Sequence, residues 1–334
     1  MVNDRNMKTT IGLGLFLGVF LFYFLNLSSF AYPNEWSAAL YSILGLDPFR
    51  PLSRPVWQAI MSVLGSVSGP NVVTAANTTA ALCGAVAAVL MFHVGMRLRT
   101  PAKPLGKVSD QRVFDRARVV SGLVAAGFLA VSAPFIIVST RIHPLSLDLC
   151  LLLAAVLLSL LYRDTGRPVY WFVFMLVYGV GVAEFSTFIL LGPVFFMLWG
   201  WLLWRGRTFR WAHLPVGLLI AVAGASIGLL FSYDYAGSPV AAWREFDSAR
   251  TVYTYFLLDQ YQQIRFSVPK QGWLIVLLTM VLPAVYIIWN GLEEADDVFT
   301  NIGHVAFRVI LLGVAVVILF NLPGSPWRVM GPSV

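Results

Sequence analysis

Long apolar runs constrain this chain more than any other feature of its sequence. The first run, IGLGLFLGVFLFYFLNLSSF at 11–30, is long enough to cross a bilayer as a helix, because about 20 apolar residues cover the hydrocarbon core. Hydrophobic residues make up 58% of the 334 residues and charged residues only 12%, whereas an ordinary soluble domain carries about 25% charged residues. The sequence therefore predicts an all-α integral membrane protein.

The same length criterion predicts about nine transmembrane helices along the chain. The N-terminal run is too long for the apolar part of a cleavable signal peptide, so it is predicted to be a retained anchor helix. Residues 1–334 are predicted to form one polytopic membrane domain. Its spans are placed at 10–30, 71–96, 119–139, 147–162, 168–183, 185–204, 213–232, 272–289 and 305–321.

The distribution of basic residues predicts the orientation of these spans. Most of the 23 Lys and Arg residues fall on the same side as the N-terminus, many of them in the basic loop 97–118, so the positive-inside rule predicts a cytoplasmic N-terminus. The loops 31–70 and 233–271 then lie outside. The net charge of +7 is explained by basic residues that flank apolar spans, so we expect no nucleic-acid partner.

The first outer loop, 31–70, is far longer than a connector needs to be and carries paired acidic and basic residues. Its segment EWSAALYSIL predicts a short amphipathic helix at the membrane interface. Glu35 and Asp47 are candidate catalytic carboxylates, although Glu35 also suits a helix N-terminus and Asp47 a simple turn. Arg50 and Arg54 are candidate phosphate ligands, or else cations that reach the lipid headgroups.

Two further outer turns supply candidate substrate-binding residues. Arg141 and His143 lie between the third and fourth spans, where His143 either caps the turn or binds a phosphate. Glu184 lies in the very short turn between the fifth and sixth spans. A carboxylate between apolar spans is costly unless it is paired or faces a polar cavity, and Arg141 is one possible partner. We expect at least two of the residues Arg54, Arg141 and Glu184 to share one outward-facing cavity.

The sequence gives no strong indication of a metal centre or a redox centre. Cys83 and Cys150 each lie inside an apolar run, which predicts buried small side chains rather than metal ligands or a disulfide. The outer carboxylates permit a divalent metal ion, but no ligand spacing requires one. No cofactor is therefore predicted.

The order of several short motifs resembles a known family. An acidic residue at the start of the first loop is followed by a short helix, a Leu-Gly step, a Pro-rich segment and a second span rich in Asn, Ala and Gly. This order is similar to that of the bacterial membrane proteins related to protein O-mannosyltransferases, within the GT-C glycosyltransferase superfamily. The residues that carry the resemblance are Glu35, Ala38-Ala39, Leu44-Gly45-Leu46, Asp47-Pro48, Pro51-Leu52, Pro55, Ala75-Ala76-Asn77, Gly84-Ala85, Glu184 and Leu190-Leu191-Gly192-Pro193.

The resemblance implies an enzyme of the bacterial cytoplasmic membrane with its active site on the outer face. Members of the family take a sugar from a polyprenyl-phosphate carrier and place it on a protein or glycan acceptor. An acidic residue of the first outer loop serves as general base, which implies Glu35 or Asp47 here, and arginines stabilise the departing phosphate. This chain has Tyr32-Pro33-Asn34-Glu35 where relatives carry Asp-Ser-Gly-Glu.

Two alternatives remain beside the enzyme. The altered acidic motif keeps open a non-catalytic GT-C-like membrane subunit that binds lipid or a partner protein. A transporter or flippase is the least favoured, because no inverted repeat is visible in the sequence. The chain ends soon after the ninth predicted span, without the further spans that many relatives carry, which predicts either a fragment or one subunit of a larger assembly.

Overall fold

The structure is a computed structural model that describes residues 4–30, 37, 40–41, 51–98, 108–205, 212–238, 241 and 246–267. Within these ranges the chain is all-helical, and no β-strand forms. A short 3₁₀ helix, Gly69–Asn71, lies between two of the α-helices. The helices are α1 Asp4–Leu25, α2 Pro55–Ser68, α3 Val72–Arg97, α4 Val108–Val131, α5 Ala133–Ser139, α6 Leu145–Thr165, α7 Val169–Glu184, α8 Ser186–Arg205, α9 His213–Ala225, α10 Ile227–Ala236 and α11 Ala249–Ser267.

Several of these helices have the length and composition of membrane spans. Four qualify in the described part of the chain, or five if a bent pair counts as one span. The predicted helical membrane architecture is thus confirmed at this level, while the predicted spans 272–289 and 305–321 lie outside the described residues. The qualifying helices are Met7–Leu25, Val72–Arg97, Leu145–Thr165 and His213–Ala236, and the bent pair is Asp115–Val131 with Ala133–Ser139.

The predicted span at 119–139 is bent rather than straight. The chain bends by 68° between helices α4 and α5. The bend follows from Pro134, which has no N–H to donate and whose ring would clash with a carbonyl of the preceding turn, so Ser132 takes an extended conformation with ψ 129°. Helix α4 also begins earlier than predicted, at Val108, so that the second half of the basic segment 97–118 is helical.

Small residues on α3 allow its neighbours to pack closely. Helix α3 packs against α1, α4 and α6. Ala80, Gly84 and Ala88 form the small-residue stripe of the sequence, and both alanines are fully buried. A methyl group added at Gly84 would lie 2.5 Å from the hydroxyl oxygen of Ser139 and 2.9 Å from the ring of Tyr23. Small residues at intervals of four in a sequence predict a face on which another helix packs closely, and this prediction is confirmed here.

The described residues divide into two compact units. The first contains residues of 1–185 and 210–259, and the second contains residues of 186–209 and those after 259. In the second unit, α8 carries Pro193 in its interior and stacks Phe188 on Phe195 with ring centroids 6.4 Å apart. The site described below lies entirely within the first unit.

Helices α7 and α9 cross with their backbones in contact. A methyl group added at Gly179 of α7 would overlap the backbone carbonyl of Ala221 in α9. A methyl group at Gly224 of α9 would lie 2.8 Å from the carbonyl oxygen of Leu176. Glycine at both positions therefore sets how closely the two helices approach.

We expect Gly179→Ala to destabilise the folded protein by about 1–3 kcal/mol, because the added methyl group meets rigid backbone rather than a movable side chain. Gly127→Ala in α4 is the matched control, since nothing lies within 4 Å of a methyl group there. Thermal unfolding in detergent measures both. Equal melting temperatures for the two variants would contradict the close crossing of α7 and α9.

Candidate functional site

The segment that enters α2 is held in an unusual conformation by local contacts. Arg54 adopts a left-handed backbone, with φ 62° and ψ 57°, immediately before Pro55. Such a backbone is unfavourable for a side chain other than glycine, so surrounding contacts must hold it. The buried side-chain amide of Gln58 donates to the carbonyl oxygens of Pro51 at 2.8 Å and Ser53 at 2.7 Å, which fixes this turn.

The side chain of Arg54 reaches from this turn into the helical bundle. Its Nη1 donates to Oδ2 of Asp148 at 2.5 Å and to the carbonyl oxygen of Glu184 at 3.3 Å. The guanidinium also lies over the ring of Phe185, 4.5 Å from its centroid. Arg54 therefore joins the start of α2 to the first turn of α6 and the last turn of α7.

The carboxylate of Glu184 caps the N-terminus of α2. Its two oxygens accept hydrogen bonds from the backbone N–H groups of Val56 at 2.7 Å and Trp57 at 3.1 Å. Pro55 has no N–H, and the N–H of Gln58 already donates to the carbonyl oxygen of Arg54. The orphan donors of the first turn of α2 are thus satisfied by a residue of α7, and the negative charge stabilises the positive end of the helix dipole.

We call Arg54, Asp148 and Glu184 the buried charge cluster. Arg54 is 8% exposed, and each carboxylate is 1% exposed. Burial of charged groups is costly unless they are paired and hydrogen-bonded, and here one guanidinium and the N-terminus of α2 offset two carboxylates. Within the described residues, Oδ1 of Asp148 has no hydrogen-bond partner.

His143 lies beside this cluster, in the turn between α5 and α6. Its Nδ1 accepts a hydrogen bond from the backbone N–H of Leu145 at 3.2 Å, so that the ring caps the turn. Burial, together with the nearby positive charge of Arg54, lowers the pKa of His143 to about 3. The imidazole is therefore neutral at physiological pH.

Neutral His143 makes the stability of the folded protein depend on pH. In the unfolded chain its pKa returns to about 6.5, so acid protonates the unfolded state first and the fold loses up to about 1.4 kcal/mol per pH unit between pH 6.5 and 3. His143→Gln is expected to remove this part of the acid sensitivity and to leave the pH dependence of stability above pH 7 unchanged. Unfolding midpoints between pH 8 and 4.5 measure it, and parallel curves for both proteins would contradict the low pKa.

The structure brings together some of the predicted site residues. Arg54 and Glu184 are in direct contact, His143 lies near Arg54, and Arg141 is half-buried in the same turn as His143. The partner of the Glu184 carboxylate is the start of α2, whereas the sequence suggested Arg141. The remaining predicted residues lie outside the described part of the chain: Glu35, Asp47 and Arg50.

Asp148 is the member of the cluster that is not among the predicted site residues. It lies in the first turn of an apolar helix, so the cost of a carboxylate between apolar spans applies to it as it does to Glu184.

Cys83 and Cys150 are both free thiols, and Sγ of Cys150 donates to the carbonyl oxygen of Cys83 at 2.9 Å. In the described ranges no group of three His, Cys, Asp or Glu residues is placed to hold a metal ion.

In its described part the chain is all-helical, with several helices able to span a membrane and a buried charge cluster where α2, α6 and α7 meet. No family model, curated protein or solved structure matches the chain.

Proposed function

We propose that this protein is a GT-C-type glycosyltransferase of the bacterial cytoplasmic membrane, with its N-terminus in the cytoplasm. It moves a sugar from a polyprenyl-phosphate-linked donor to an acceptor hydroxyl of a protein or glycan on the outer face. The observation that carries the proposal is the buried charge cluster, which attaches the end of the first loop to α6 and α7. Buried charges in an apolar helical bundle are costly and are retained where function needs them.

The attachment matters because the same loop contains both candidate bases. Pro51 follows Asp47 by four residues, and an extended chain covers at most about 3.6 Å per residue, so this carboxylate cannot be far from the anchored turn. Leu40, five residues after Glu35, is fully buried with Trp57 and Ile142. The chain is thus anchored to the bundle between the two acids and again shortly after Asp47.

The proposed chemistry uses one carboxylate and one phosphate leaving group. The acceptor hydroxyl attacks the anomeric carbon of the sugar while Glu35 or Asp47 takes the hydroxyl proton. The bond between the anomeric carbon and the phosphate oxygen breaks, and the electron pair leaves with the polyprenyl phosphate. Cations near the loop, such as Arg50 and Arg141, stabilise the charge that develops on that phosphate.

A second function is favoured by one observation. Arg54 is engaged with Asp148, and the Glu184 carboxylate is engaged with α2, so two of the predicted substrate-binding residues serve the fold. A non-catalytic GT-C-like subunit that binds a lipid or a partner protein needs the same anchored loop and no general base.

The two functions are separated by reconstituting the full chain in liposomes that contain polyprenyl-phosphate-linked mannose or glucose, together with membrane proteins or glycans as acceptors. The transferase is expected to release free polyprenyl phosphate and to label the acceptor with sugar. Binding of the donor without any release supports the non-catalytic subunit. Neither binding nor release of either donor would overturn the transferase and also a subunit that binds this lipid-linked donor.

A further inference from the structure

We propose that Asp148 and Glu184 are positioning residues for the transfer reaction, and that they act by holding the loop that carries the candidate bases. This inference rests on the proposed transferase function. It assigns to Asp148 a role that the sequence did not suggest, and it replaces the substrate-binding role of Glu184 with the placement of α2.

The position of α2 depends on α7. No side chain of the residue before α2 caps its N-terminus, and the two N–H groups that need acceptors both point to the Glu184 carboxylate. Those bonds connect residues 128 and 127 positions apart in the chain. The place where α2 begins is therefore set by the last residue of α7.

The turn that enters α2 depends on α6. The left-handed backbone of Arg54 directs the chain from the first loop into α2, and the bond from its guanidinium to Asp148 holds that residue in place. Asp148 is itself fixed by the first turn of α6, where its backbone N–H donates to the carbonyl oxygen of Pro144. Helices α6 and α7 thus both hold the end of the first loop, through Asp148 and Glu184.

The burial of the cluster distinguishes a positioning role from substrate binding. Both carboxylates are 1% exposed and are bonded to protein groups, so a lipid phosphate reaches them only by displacing those groups. Residues that place a catalytic group without touching substrate affect the rate of the chemical step more than the Michaelis constant. Loss of either carboxylate is therefore expected to lower kcat and to leave KM nearly unchanged.

The test combines amide exchange with kinetics in the full chain. In Glu184→Gln, hydrogen–deuterium exchange of the peptide around Val56 and Trp57 is expected to speed up by about tenfold, because the neutral amide offers one acceptor oxygen in place of two charged ones. With polyprenyl-phosphate-linked mannose as donor, kcat is expected to fall by about 10- to 100-fold while KM changes by less than about threefold. Asp148→Asn is expected to give the same kinetic pattern.

The matched control is Asp164→Asn, which alters a partly exposed carboxylate at the opposite end of α6. It is expected to change neither exchange at residues 56 and 57 nor kcat. If Glu184→Gln does not fold, the same measurements are made on Glu184→Asp, which keeps the charge on a shorter side chain.

Three results would overturn the inference. An increase in KM at unchanged kcat in Glu184→Gln would assign Glu184 to substrate binding. Unchanged amide exchange at Val56 and Trp57 would show that the carboxylate does not hold α2. Equal changes in exchange and kcat in Asp164→Asn would show that the effect is not specific to the buried charge cluster. Absence of transfer by the wild-type chain would instead overturn the proposed function, while the exchange measurement would still decide whether the cluster holds the loop.

Discussion

Replacing Glu35 by glutamine or Asp47 by asparagine, one at a time, is expected to show that one of the two substitutions lowers sugar transfer by about 10²- to 10⁴-fold. This is the usual contribution of a general base, because the amide keeps the shape of the side chain but cannot accept the proton of the acceptor hydroxyl. The measurement is the initial rate of release of polyprenyl phosphate from the reconstituted full chain.

The matched control for that experiment is Asp247→Asn, which removes an exposed carboxylate from the other predicted outer loop. It is expected to transfer sugar at the wild-type rate. Donor binding is expected to survive in the inactive variant, since the phosphate is held by cations rather than by the base. Full activity of both Glu35→Gln and Asp47→Asn would remove both residues from the catalytic mechanism.

The stability of the folded protein depends strongly on the buried ion pair of Arg54 and Asp148. Arg54→Gln leaves the Asp148 carboxylate buried without its cation, and Asp148→Asn leaves the guanidinium without its anion. Breaking such a pair from one side costs about 3–5 kcal/mol. We expect each single variant to unfold at much lower denaturant than the wild type in an SDS titration followed by tryptophan fluorescence.

The double variant Arg54→Gln with Asp148→Asn distinguishes pairing from general damage. It is expected to lose clearly less stability than the sum of the two single losses, because neither charge is then left buried alone. The corresponding cycle at Arg163 and Asp164, a partly exposed pair of neighbours, is expected to stay within about 1 kcal/mol. Additive losses at Arg54 and Asp148 would contradict the buried pair.

The sequence predicted the parts of the fold that depend on local pattern. Runs of apolar residues located the helices that pass the length test, and the spacing of Ala80, Gly84 and Ala88 predicted a packing face on α3. The bend between α4 and α5 was harder to predict. Pro134 marks it, but prolines inside spans are often tolerated where neighbouring groups satisfy the freed backbone.

The candidate site was predicted only in part, because its contacts join distant segments. The cost of a carboxylate between apolar helices correctly predicted that Glu184 needs a partner. That partner could not be identified from the sequence, because every residue except proline has a backbone N–H group. The pair of Arg54 and Asp148 was equally hard to predict, since the two residues are 94 positions apart. The left-handed conformation of Arg54 was equally invisible, since arginine shows no preference for it.

The cap that α7 places on α2 also orders events during biosynthesis. Trp57 leaves the ribosome 127 residues before Glu184, and at about 5–20 residues per second this delay lasts about 6–25 s. During that interval the first turn of α2 lacks its acceptor, and Arg54 precedes Asp148 by 94 residues. The loop between the first two spans thus reaches its final docking only after α7 has been synthesised.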